Sequence, residues 1–382
     1  MALVDAAHAS STPSRANRAF LSPVLDFLCL GGGSILFMPI LLWIVPDELN
    51  AKTLLLAVLL ANVINNPHFA NSYQIFYRTF RTIVSDPSSD PKLRARYLWA
   101  GIGAPMLIAA FFAAVLRWGD ARMLGYGANA MGFFVGWHYV KQGYGMLMVD
   151  AALRRSFFAA SDKKVLLINS YACWIVAWLV ANKTVSQQDL SGIAYAMIDV
   201  PMGLLWLGCA FLALTTLYSA WIIFRHGRAH LGAIPLNGIA AYVAALYPWL
   251  FLRWEPILGV LIPAMHSLQY LVIVWRYQLN VEHAKADSAE RPSWLATAKV
   301  APTKATVRFV WFLLVAILMG AAGFWLLPML LDAVVPYDHA EYGNFLFFFV
   351  LIVFINIHHY FIDNAMWRKE NPHTLRHLFS HR

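Results

Sequence analysis

Charge is scarce in this chain. Asp, Glu, Lys and Arg make up only 13 % of its 382 residues, about half the share of a soluble domain. Cysteine is scarcer still. Cys29, Cys173 and Cys209 each sit inside an apolar stretch, with no CxxC or CxxCH spacing, which argues against a thiolate zinc site, covalent c-type haem and a disulfide scaffold. Period-two alternation is missing, so a membrane barrel is excluded. There is no Walker A loop, no G-x-S-x-G and no H-E-x-x-H, and Gly143-Tyr144-Gly145 is too short for a nucleotide fingerprint. The net charge of +9 is spread between apolar blocks. No nucleic-acid motif accompanies it, so no nucleic-acid partner is expected.

What is present is apolar. Hydrophobic types reach 60 % and aromatics 15 %, more than a soluble globule of this size can bury. A helix crossing the hydrocarbon core needs roughly 20 apolar residues. By that measure the fold class is all-α: a polytopic integral membrane helix bundle of about ten transmembrane helices, near 20–46, 53–77, 97–117, 123–149, 165–182, 198–224, 234–252, 256–279, 308–330 and 343–367. With the N-terminus inside, 23 of the 29 Lys and Arg residues fall in inside segments, as the positive-inside tendency requires. Both termini are therefore expected to be cytoplasmic, in the cell (inner) membrane. The apolar run after residue 19 is too long for a signal-peptide core, so no cleavable signal peptide is expected. Residues 1–19 read as a polar tail, 20–367 as a single transmembrane domain with a cytoplasmic loop at about 280–307, and 368–382 as a basic, solvated tail carrying His373, His377 and His381.

Five of the 13 histidines lie within apolar spans: His68, His138, His266, His358 and His359. One buried histidine is ordinarily a packing residue, but ionisable groups at membrane depth are costly and by default mark function. All five fall on even-numbered spans. Arg78, Arg276 and Arg368 each follow a histidine by ten residues, and each is preceded by an aromatic, Tyr77, Trp275 or Trp367. Ten residues of helix rise about 15 Å, half of a roughly 30 Å core. Reading each aromatic–Arg pair as a headgroup anchor sets the imidazoles near one depth. Lys141 and Asp150 give His138 a similar level.

Polar neighbours share helical faces with these histidines: Asn65 with His68, Lys141 and Gln142 with His138, Gln269 and Tyr270 with His266, and Asp363 with His359. A ligating imidazole usually gives its other N–H to such a group, which makes Asn65, Gln142, Gln269 and Asp363 supporting candidates. Tyr73 and Tyr270 are candidate hydrogen-bond donors to substrate or oxygen. Asp26 is a candidate to face the same cavity, and Pro67 predicts a kink beside His68.

Neutral imidazoles without thiolate, with carboxylate in reach, suit iron, copper or zinc, and best suit non-haem iron oxygen chemistry. One histidine per helix on helices far apart in sequence resembles the integral-membrane carotenoid-cleaving dioxygenases of the Brp/Blh kind, which hold one iron with four histidines. Membrane desaturases and hydroxylases are a looser analogy, since their short histidine boxes are absent. The resemblance implies that His68, His138, His266 and either His358 or His359 are ligands. The expected function is a metal-dependent oxidoreductase acting on a lipid or isoprenoid-like substrate, with an electron donor docking on the basic cytoplasmic loops. Two alternatives remain open at this point: a b-type haem protein clamped by facing histidines, and a transporter or proton relay using His, Asp26, Lys141 and Asp363.

Overall fold

The computed structural model describes residues 19–44, 51–184, 189–190, 192–252, 258–288, 301–368 and 370–378. Most of the polar N-terminal tail, the centre of the 280–307 loop and the last four residues lie outside these. The described chain is almost entirely helical: α1 (Pro23–Phe27), α2 (Gly33–Ile44), α3 (Ala51–Leu60), α4 (Asn66–Ser85), α5 (Pro91–Leu98), α6 (Ala104–Trp118), α7 (Ala121–Leu153), α8 (Ala160–Thr184), α9 (Met202–Ala229), α10 (Leu236–Leu246), α11 (Leu258–Ser288), α12 (Ala301–Ala321), α13 (Leu327–Val334), α14 (His339–Tyr342), α15 (Leu346–Met366) and α16 (Pro372–Leu378). The strand content among the described residues is one two-residue pair, Asp189–Leu190 against Ile193–Ala194.

Six helical segments are long and apolar enough to cross a membrane: Pro91–Trp118, Ala160–Thr184, Met202–Ala229, Leu258–Glu282, Thr306–Val334 and Leu346–Met366. The other expected spans take different forms. The first breaks into α1 and α2, and the seventh is short, with α10 running into a 3-10 turn over Tyr247–Phe251. The second and fourth are α3–α4 and the 33-residue α7, whose inward faces carry polar side chains such as Asn66, Asn71, Ser72, Asn129 and His138. Those faces lower the hydropathy because they line the interior rather than lipid.

Proline explains several irregularities. A proline lacks the N–H that an α-turn needs and crowds the carbonyl four residues back. Pro67, Pro105 and Pro328 each open a helix directly after a π-turn, at Ala61–Asn65, Trp99–Gly103 and Ala322–Leu326. The kink expected at Pro67 is thus a widened turn just before it, and such turns recur at functional sites. Gly31 breaks the first span. Its φ of 157° is unfavourable for any side chain, and a Cβ there would lie 2.5 Å from the Ala240 carbonyl oxygen, so glycine lets this backbone touch α10.

Helix α11 occupies the centre, with 67 % of its apolar window buried, against 17 % for Met202–Ala229 and for Thr306–Val334. The exposed Trp206, Leu207, Leu214, Leu217 and Trp221 on α9 suit a lipid-facing helix. Helix α7 packs on α8, α10 and α15, and α4 packs on α11, α12 and α15. Helices α4, α7, α11 and α15 therefore enclose a common interior.

Four expectations are corrected here. The 280–307 loop begins later, because α11 continues to Ser288. The C-terminal tail is not simply solvated: Pro372–Leu378 is helical, Thr374 and Leu378 are buried, and the Asn280 side chain donates to the His377 carbonyl at 2.7 Å. Arg276 is not a headgroup anchor. It is buried and donates to the carbonyls of Ala19, Phe20 and Leu378 at 2.6, 2.9 and 2.8 Å. Asp26, expected at the cavity, is also taken up locally, accepting from the backbone N–H groups of Phe20, Leu21 and Ser22.

Arg276→Met should therefore leave three buried carbonyls unpaired and cost on the order of 3 kcal/mol. The expected outcome is a lower unfolding midpoint in detergent and faster proteolysis at the C-terminal end, with Arg276→Lys intermediate.

Candidate metal centre

Four helices each contribute one imidazole to the centre: His68 from α4, His138 from α7, His266 from α11 and His359 from α15. All are at most 9 % exposed. Ring centroids lie 4.6 Å apart for His68–His359, 4.8 Å for His138–His266, 5.0 Å for His138–His359 and 5.3 Å for His68–His266. Two groups of ligand-type atoms, one on His68, His266 and His359 and the other on His138, His359 and Asp363, each fall within 4.8 Å of one another. His359 belongs to both.

The short distances carry chemical information. His68 Nε2 is 3.0 Å from His359 Nε2, and Asp363 Oδ2 is 3.4 Å from the Nε2 atoms of both His138 and His359. Two ligands about 2.1 Å from one ion, at octahedral or tetrahedral angles, lie about 3.0–3.4 Å apart. Ligands on opposite sides of a haem iron would stand about 4 Å apart with the macrocycle between them. The observed spacing fits adjacent ligands on a bare ion, and the 3.0 Å between His68 Nε2 and His359 Nε2 is also that of a hydrogen bond.

Hydrogen bonding sets how the rings point. The Asn65 carbonyl, at the end of the π-turn before Pro67, accepts from His68 Nδ1–H at 2.8 Å. Ser267 Oγ donates to Asn65 Oδ1 at 2.8 Å and stands 3.0 Å from the same Nδ1, as a second acceptor. His68 is thereby the tautomer whose Nε2 carries a lone pair toward His359. His266 stacks on Tyr139, with centroids 3.7 Å apart and planes 12° apart. Neither of its nitrogens has a hydrogen-bond partner, nor does His138 Nε2, His359 Nδ1 or Asp363 Oδ2. Buried polar atoms are rarely left so. These groups fall into two overlapping sets of possible ligands that share His359, an arrangement that fits a cation. Four neutral imidazoles and one carboxylate would hold it at modest electrostatic cost.

Asp363 is itself held. Its Oδ1 accepts from the Tyr270 hydroxyl at 2.9 Å, which in turn accepts from Trp367 Nε1 at 3.1 Å and lies 2.6 Å from Ser72 Oγ. Asp363, expected as a supporting or catalytic group, thus directs one oxygen into the ligand cluster and anchors the other. Tyr270 orients it and does not stand free as a donor.

His358 departs from the expected ligand set. Its Nδ1 accepts from the Tyr73 hydroxyl at 2.7 Å and its Nε2–H donates to the Ala100 carbonyl at 2.9 Å. Both nitrogens are used in tying α15 to α4 and to the turn before α6. Tyr73 is consequently engaged there as well. Gln142 donates to the His266 carbonyl at 3.0 Å, and Gln269 donates to the Leu30 carbonyl at 2.6 Å. These two glutamines bind backbone beside the centre rather than the imidazoles, whereas Asn65 supports His68 as described.

Ser72 shares the polar face of Asn65 and His68, as its spacing indicates; Ser267 and Tyr139, which directly follow His266 and His138, carry no such signal. Their proximity was visible; their direction needed the neighbouring helices.

A cavity of about 290 Å³ opens beside the cluster, reaching His138, Tyr270 and Asp363 and continuing along Tyr144, Met146 and Ile273. No protein-family model, curated protein or solved structure matches this chain.

Replacing His68, His138, His266 or His359 with Ala should each abolish metal retention, measured by elemental analysis of purified protein. His358→Ala should retain the metal. Ser267→Ala should weaken binding about 10- to 100-fold through loss of ring orientation.

Proposed function

We propose that this chain is a metal-dependent membrane oxidoreductase whose ion is held by His68, His138, His266, His359 and Asp363, acting on a lipid-soluble substrate. The observation that supports it most is the set of ligand-type atoms 3.0–3.4 Å apart, several without any other partner. Four nitrogens and one oxygen suit a borderline metal. Iron is the proposed ion, as the resemblance to carotenoid-cleaving membrane dioxygenases implies. When bound in such a set, iron supplies one-electron chemistry with dioxygen.

The chain's own residues do the rest. Ser267 and the Asn65 carbonyl keep the His68 lone pair directed inward. Tyr270 fixes Asp363. Tyr139 fixes the His266 ring plane. The cavity along Tyr144, Met146 and Ile273 gives an apolar substrate access from one side and keeps bulk water away from the reacting atoms.

The wider reading belongs to the same proposal. About ten segments, including the polar-faced α3–α4 and α7, lie within the bilayer of the inner membrane, with both chain ends cytoplasmic. An acidic electron-transfer protein docks on the basic cytoplasmic loops. The spacing of His68 and His359 favours a bare ion over haem b, and the tight mutual packing of the rings favours a ligand cluster over an open conduit.

The test is reconstitution of iron-loaded protein in vesicles of native membrane lipid, with a reductant and isotopically heavy dioxygen. The expected outcome is heavy oxygen in an extracted lipid product, lost in His359→Ala. A Soret band in the purified protein would overturn the bare-ion reading. Iron loading without dioxygen consumption on any membrane lipid would overturn the oxidoreductase reading.

A further inference from the structure

The cavity beside the histidine cluster has a charged end that the metal reading does not use. Lys141 and Arg368 both line it, together with Asn364. Lys141 Nζ and Arg368 each donate to the same atom, Asn364 Oδ1, at 2.6 Å. Arg368 Nε also donates to the Asn364 carbonyl at 2.8 Å. Two cations thus converge on one neutral oxygen. Like charges brought together in a half-buried site repel each other unless an anion joins them. Among the described residues no ion pair involves Lys141 or Arg368, and Glu370 is paired with Arg96 at 3.8 Å. At Arg368 the positive field of Arg96 is opposed by the negative field of Glu370, which makes no ion pair with it.

Gln142 and Thr374 aside, the wall between the charged end and the cluster is largely apolar and aromatic, with Tyr144, Met146, Val149, Ile273, Tyr360 and Leu378. One end therefore attracts an anion, and the body suits hydrocarbon. The distance between the charged end and the metal ligands follows from the helices. Lys141 is three residues beyond His138 on α7, and Arg368 is five beyond Asp363. At 1.5 Å per residue the offset on α7 is about 4.5 Å, and Arg368 lies two residues past the end of α15 at Met366.

We propose that this cavity binds a single-chain amphiphile with an anionic head, carboxylate or phosphate, held by Lys141 and Arg368, with its apolar chain beside the histidine–aspartate cluster. The proposal deepens the function given above by assigning a substrate class to the same site. On α7 the head lies about one helical turn from His138, and the cavity also reaches Asp363, so the part of the chain nearest the ligands is the part adjoining the head. A neutral hydrocarbon would leave both cations unmatched.

Binding tests this independently of turnover. The full-length protein, in nanodiscs of phosphatidylcholine, is titrated with oleate, oleyl phosphate and oleyl alcohol, with uptake by empty nanodiscs subtracted. Metal-loaded and chelator-treated protein are both measured. At least one of the two anions should bind about tenfold tighter than the alcohol, the scale of one charge-assisted contact. Tight oleate with weak oleyl phosphate identifies a carboxylate head, and the reverse a phosphate head. Lys141→Met and Arg368→Gln should each erode the preference while metal content stays at the wild-type level, and Lys141→Arg should keep it. The proposal fails if the alcohol binds wild-type protein as tightly as both anions, or if the preference survives both neutral substitutions. Because the preference is read without metal as well, a protein that holds no iron but prefers the anion would sink the metal reading and leave this one standing.

Discussion

The cost of leaving a polar atom unpaired deep in an apolar interior governs this molecule. Imidazole nitrogens from four helices and one carboxylate oxygen are buried together, and their hydrogen-bond capacity is only partly used. Every nearby feature follows from containing that cost. The π-turn before Pro67 offers a carbonyl to His68, Ser267 supplies a second acceptor, Tyr270 occupies the outer oxygen of Asp363, and Tyr139 covers the flat face of His266. What remains unpaired there is the capacity of His138, His266, His359 and Asp363, which a cation would satisfy.

The same constraint shapes the helices that carry the cluster. Helices α4 and α7 are less apolar than the peripheral ones because one face of each looks inward at polar partners. Helix α11 is enclosed on most sides and brings His266 and Ser267 into the centre, while its Arg276 gathers carbonyls from near both ends of the described chain. Centre and closure therefore share one helix, ten residues apart. The Gly31 contact with α10 and the Gln269 bond to the Leu30 carbonyl attach the first segment to the same core.

Much of the centre was legible in the amino-acid order. Membrane depth makes histidine rare, so its recurrence on spans bearing Asn65, Gln142, Gln269 and Asp363 was informative, but the depth ruler counted from Arg276, which is no anchor, and to His358, which faces away. Rotation about each helix axis was not legible. His358 and His359 are adjacent and equally deep; only Tyr73 and the Ala100 carbonyl, on other elements, decide that His358 faces away. Arg276 shows the complementary error: an arginine after a tryptophan matches an interfacial anchor, yet distant carbonyls capture it. Asp26 was similarly ambiguous, since a carboxylate near a span start serves a backbone turn as readily as a cavity. The order of residues carries period and depth, while direction and partner come from packing.

The ligands are also dispersed along the chain, from His68 on α4 to His359 and Asp363 on α15. No early fragment emerging from the ribosome holds more than part of the set, and the carboxylate arrives with the last long helix described. An ion held as proposed would meet its complete ligand set only after the earlier helices have inserted. Until α15 docks, His68, His138 and His266 are without His359 and Asp363, so completion of the cluster falls late in the assembly of the bundle.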